Sequence, residues 1–121
     1  MTKIFKLTAL SAVLFLTYCK STKTVAESKP AAMVVDDKQM AVVKTRWPNT
    51  GPDDVNSGLT IYTTKCNKCH ENQVITELSE KKWLHEIDDM SPKAKLNEDE
   101  KLKLTKFILS YREANTLAKA K

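Results

Sequence analysis

Two glycines in 121 residues leave no room for a phosphate-cradling glycine loop. The two histidines and three cysteines are equally sparse. No nucleophile–base pair, carboxylate dyad or internal repeat is legible, and no stretch reads convincingly as strand. An eight-residue apolar run, Ala9 to Leu16, is too short to span a bilayer by itself, which takes roughly 20 residues. Length and composition (41% hydrophobic, formal charge +5) bound the chain to one small domain with appendages. The expected fold class is all-α.

What is present is concentrated in Cys66-Asn67-Lys68-Cys69-His70. Two thiols three residues apart, followed at once by an imidazole, meet the needs of covalent haem attachment. The thiols add to the porphyrin vinyl groups, and the histidine then binds the iron from one face. Other readings of the pair fit less well. A structural zinc ion takes four Cys or His ligands. After residue 50 the chain offers only Cys66, Cys69, His70 and His85, and adjacent Cys69 and His70 are badly placed to share one tetrahedral ion. A thioredoxin-like pair belongs in a βαβ setting, which is missing here. Two unrelated cysteines and a surface histidine would leave the spacing unexplained.

The flanking pattern is helical. A first helix is expected from an Asp53 or Asp54 cap. Val55, Leu59, Tyr62, Cys66 and Cys69 follow on one stripe that runs into the motif. Gly58 is costly inside a helix, so close approach of a second backbone is expected there. Residues 71–79 read as a loop, with Val74, Ile75 and Leu78 as candidates to line a haem edge. A second helix from about Glu80 carries Trp83, Ile87 and Met90 on one face and stops before Ser91-Pro92. Asn97 with Glu100 makes a capping pair for a last helix reaching about Ala118, with Leu104, Phe107, Ile108 and Tyr111 buried. About three helices bury little apolar area unaided, and a haem would complete the core.

These residues resemble a class I c-type cytochrome over about 55–115. Gly58, Tyr62 and Cys66 match that family's glycine–aromatic–cysteine approach to the haem motif. Leu104 and Phe107 match the C-terminal helix that crosses the first helix at the glycine. The resemblance implies one covalent haem held by Cys66 and Cys69, an axial His70, and one-electron transfer without catalysis. Two features depart from the family. The interval from His70 to Met90 is short. The proline whose carbonyl orients the axial histidine is missing between His70 and Pro92, so another carbonyl in 71–82 must accept from Nδ1–H of His70.

For the opposite iron face the candidates are Met90 and His85, with Met90 preferred. At 100° per residue Met90 falls about 20° from Trp83, whereas His85 falls about 200° round on the charged side. A thioether ligand would favour ferrous iron and raise the reduction potential relative to two histidines.

The N-terminus reads as an export segment, 1–18, with basic Lys3 and Lys6 ahead of the apolar run. Leu16-Thr17-Tyr18-Cys19 resembles a bacterial lipoprotein signal in which Cys19 receives the lipid, although Tyr18 is larger than that motif's usual residue. An uncleaved anchor helix and ordinary signal cleavage are the alternatives. Loss of 1–18 removes two lysines and no acid, so the formal charge falls from +5 to +3; the haem propionates offset most of it, and nucleic acid is not an expected partner. Residues 19–49 are expected to be a flexible tether, with the apolar pieces 33–35 and 40–43 each either a short strand or a short helix packed on the domain at 50–121. About 27 flexible residues span roughly 30 Å. The function expected is a monomeric, membrane-tethered electron carrier of the periplasm or cell surface, serving envelope redox proteins through a lysine-rimmed haem edge (Lys65, Lys68, Lys93, Lys95). A haem protein with an open distal site, as in a gas sensor or a peroxidase-like enzyme, and a subunit of a larger oxidoreductase are the alternatives.

Overall fold

A computed structural model describes residues 33–119; the export segment, Cys19 and the first part of the expected tether lie outside them. Four α-helices and no strand occur among the described residues: α1 (Asp37–Arg46), α2 (Pro52–Thr64), α3 (Glu80–Met90) and α4 (Glu98–Lys119). A short 3-10 turn, Cys66–Lys68, follows α2. The all-α expectation holds.

Local chemistry accounts for the helix ends. Asp36 caps α1 by accepting from Gln39 N–H at 2.8 Å, and Lys44 and Arg46 sit in its last turn, where the helix dipole favours cations. Trp47-Pro48 then stops it. α2 starts earlier than expected, at Pro52, with Gly51 as cap. Proline at the first helical position brings a preset φ and has no N–H to leave unsatisfied, so Asp53 and Asp54 fall in the first turn and are not caps. Ser79 caps α3. Asn97 and Glu100 form the expected capping box at α4, with Asn97 Oδ1 accepting from Glu100 N–H at 2.9 Å and Glu100 Oε2 from Asn97 N–H at 3.2 Å.

Beyond α3 one more turn closes as a Schellman motif. Leu96 N–H donates to Ser91 C=O at 2.9 Å and Lys95 N–H to Pro92 C=O at 3.2 Å. Lys95 occupies the left-handed position with φ +54°, where glycine is usual.

α4 is the spine, packed against each of the other three helices. At the α2–α4 crossing a Cβ on Gly58 would stand 2.3 Å from Lys103 C=O and 2.6 Å from Phe107 Cβ. The close backbone approach expected for that glycine is present. Phe107, Ile108, Leu104, Val55 and Ile87 form the core around it. Tyr62 touches both Trp83 (centroids 6.3 Å apart) and Phe107 (5.8 Å). Tyr111 is only half-buried, whereas Leu109 and Ser110 are fully enclosed.

α1 corrects the expected tether, 19–49: residues 37–46 are a packed helix, so of the two alternatives for 40–43 the helix is right, whereas 33–35 form neither. Val43 and Gln39, one helical turn apart, are buried on α4. Gln39 Nε2 donates to Phe107 C=O at 3.1 Å and to Ser110 Oγ at 3.0 Å. A polar residue at the buried position breaks the apolar period that would have revealed the helix. Arg46 fastens its far end, paired to Glu80 at 2.7 Å and Glu113 at 3.3 Å and stacked 4.8 Å over Trp47. The Arg46 guanidinium, chiefly through that hydrogen bond, holds the Glu80 carboxyl below its ordinary pKa.

Candidate haem site

The C-terminal end of α2 and the turn after it aim Tyr62 and Cys66 into a mainly apolar cavity of about 50 Å³. Trp83, Ile87 and Met90 of α3, Leu96, and Leu104 and Ile108 of α4 line it. His70 reaches it from the loop, and Cys66, half-buried, from the 3-10 turn. A second, larger concavity of about 450 Å³ adjoins it on the outside, sharing Cys66, His70, Met90 and Ala94 and adding Cys69. Cys66, His70 and Met90 line the apolar cavity and Cys69 lines the concavity beside it, a set of thiols, imidazole and thioether that a covalently attached haem would use. The residues present fit the group.

His85 stays outside. Its side chain is 74% exposed and lies 3.4 Å from Asp89, as the helical wheel requires. Among the described residues no three His, Cys, Asp or Glu side chains come together as a set able to hold a metal by themselves, so the zinc reading gains no support. The thioredoxin-like reading fares no better: burial pushes the Cys66 thiol up, opposite to the lowered pKa of reactive redox thiols.

Residues 71–79 are tied down by side chains from three helices. Tyr62 Oη donates to Gln73 C=O, and Asn72 Nδ2 donates to Tyr62 C=O at 2.7 Å. Trp83 Nε1 donates to Ile75 C=O at 2.8 Å, and Arg112 Nε to Leu78 C=O at 2.7 Å. Burial first, then the nearby Cys66 and Tyr111, pushes the Tyr62 phenol up to about 12, so it serves as a neutral donor. The expectation for Val74, Ile75 and Leu78 is not met, since none of them lines the cavity. Ile75 is 1% exposed in the helical core, and Val74 faces outward. Trp83 draws Ile75 inward through the carbonyl bond.

A backbone carbonyl of the kind expected beside His70 is present. Nδ1 of His70 lies 2.8 Å from the carbonyl oxygen of Glu71. A carbonyl only accepts, so the neutral ring carries its proton on Nδ1 and keeps the Nε2 lone pair free for a metal. Sequence reasoning required such a carbonyl without locating it; a backbone oxygen leaves no mark in residue identity. Asn72 and the stretch of cavity wall at Ser91, Ala94 and Leu96 were also missed.

All four expected lysines border the outer concavity. Lys65 is committed to Glu100 at 2.5 Å, whereas Lys68, Lys93 and Lys95 are exposed. No described helix is long and apolar enough to cross a membrane. Comparison of the chain with family models, with curated proteins and with solved structures found no match.

Proposed function

We propose that the chain is a monohaem c-type cytochrome, a one-electron carrier tethered in the bacterial cell envelope. The observation that carries this is the meeting of Cys66, His70 and Met90 at one apolar cavity, with Cys69 at its mouth. Cys66 and Cys69 would hold the porphyrin covalently, and His70 and Met90 would bind its iron. Bound there, haem supplies reversible one-electron chemistry at its iron. The chain's own work is structural and electrostatic. Trp83, Ile87, Leu104 and Ile108 exclude water. The Glu71 carbonyl holds the Nδ1 proton of His70, and α3 presents Met90 from its last residue. With His70 and Met90 both bound to iron, no site would be left for a substrate, and electron gain or loss would need no protein acid or base.

Lys68, Lys93 and Lys95 give the outer concavity a positive rim that steers acidic redox partners; electron-transfer rates therefore fall as salt rises. Export through 1–18 and lipidation at Cys19 complete the proposal. Cys19→Ser should abolish incorporation of labelled fatty acid.

The test is the visible spectrum of the purified protein and of Met90→Ala. The wild type should show a low-spin haem c with the sulfur-to-ferric-iron band and resist carbon monoxide when reduced. Met90→Ala should lose the band and shift to lower potential. An unchanged spectrum removes Met90 as ligand, and ready carbon monoxide binding by the wild type would favour the open-site alternative.

A further inference from the structure

The carbonyl that accepts from His70 belongs to the peptide joining Glu71 to Asn72. That peptide is one rigid plane, so whatever fixes residue 72 also fixes the direction in which the acceptor oxygen points. Two bonds do so, and both end on Tyr62. The Asn72 carboxamide donates to the Tyr62 carbonyl at 2.7 Å, and the Tyr62 hydroxyl donates to the carbonyl of the next residue, Gln73. Tyr62 is itself clamped between Trp83 and Phe107. Its carbonyl is among the last four of α2, which lack intrahelical N–H partners, so Asn72 also caps the helix. The bond is partly buried and stands at the cavity wall.

We propose that Asn72 is a positioning residue for the imidazole of His70, holding the 71–72 peptide plane so that its carbonyl stays on Nδ1–H. The proposal rests on the haem reading of the site. Hydrogen bonding at Nδ1 fixes the ring and makes Nε2 a more basic ligand, which favours ferric iron. A loosened acceptor therefore has a defined sign: a less basic imidazole and a higher reduction potential. A residue that only stabilised the loop would lower the melting temperature without moving the potential of the intact holoprotein.

The experiment compares holoproteins of wild type, Asn72→Leu, Asn72→Gln and Tyr62→Phe. Voltammetry gives the potential, and proton NMR gives the solvent exchange rate of the His70 Nδ1 proton. Asn72→Leu should raise the potential and speed that exchange at least tenfold with haem still attached; Asn72→Gln, which keeps the donor, should restore part of both. Tyr62→Phe removes the second tie and should move both readouts in the same direction. Wild-type potential and exchange in Asn72→Leu overturn the proposal. Should Asn72→Leu fail to accumulate, Tyr62→Phe decides by the same two readouts. A parent protein with no thioether-linked haem overturns the site assignment itself, a failure distinct from that of Asn72.

Discussion

Gly58→Ala probes the crossing on which the cavity is built. Inside a helix the change should help, by about 1 kcal/mol in propensity. The contact outweighs it. The added carbon would lie 2.3 Å from the Lys103 carbonyl oxygen, 2.6 Å from Phe107 Cβ and 2.9 Å from the Lys103 carbonyl carbon. Two of those three atoms are backbone, so no rotamer change relieves the clash and α2 must move off α4. Overpacking of this kind costs about 1–3 kcal/mol, and more when backbone has to shift. Taking the upper end, about 3 kcal/mol, because backbone atoms clash, and subtracting the propensity gain leaves a net loss of about 2 kcal/mol. In a domain of about 60–100 residues each kcal/mol is worth about 4–8 °C, so a thermal melt followed by far-ultraviolet circular dichroism should fall by roughly 8–16 °C. A melting temperature equal to or above the wild type's would refute the close-packed crossing.

Lys95→Gly removes a left-handed strain of roughly 1–2 kcal/mol at φ +54°, against the roughly 0.5–1 kcal/mol entropic cost of glycine; a gain below about 1 kcal/mol is expected in denaturant unfolding, and a loss contradicts it. Gln39→Met should be neutral or stabilising, because Oε1 of Gln39 is buried without a partner while Ser110 Oγ keeps its bond to Lys106 C=O. A loss beyond about 2 kcal/mol would show that the Gln39 bonds outweigh the orphaned oxygen. Glu80 has a folded pKa below its unfolded one, so its contribution is present above the unfolded value and disappears as pH falls through the folded value. Arg46→Met should flatten that part of the acid profile and cost below about 1 kcal/mol at neutral pH; an unchanged profile would show the pair to be idle.

The helices that read clearly were those whose buried stripe is apolar and whose caps are side chains. Trp83, Ile87 and Met90 placed α3 to the residue, and Asn97 with Glu100 placed the start of α4. α1 was hidden because its buried face carries a glutamine, whose bonding partners Phe107 and Ser110 lie far along the chain. The start of α2 was misjudged by weighing aspartate caps above a proline at the first helical position. Within the site, the spacing of Cys66, Cys69 and His70 and the wheel position of Met90 named side chains that the fold does bring to one cavity. The Glu71 carbonyl and the ties at Tyr62 and Asn72 depend on how the loop turns back on α2, which no local pattern encodes.

The central claim is a covalent bond between this chain and a porphyrin. Mass measurement of the denatured protein, produced in cells that attach haem c, tests it most directly. The account predicts a polypeptide heavier by one haem, with Cys66 and Cys69 both resistant to alkylation. The bare polypeptide mass with both thiols open to alkylation would contradict it.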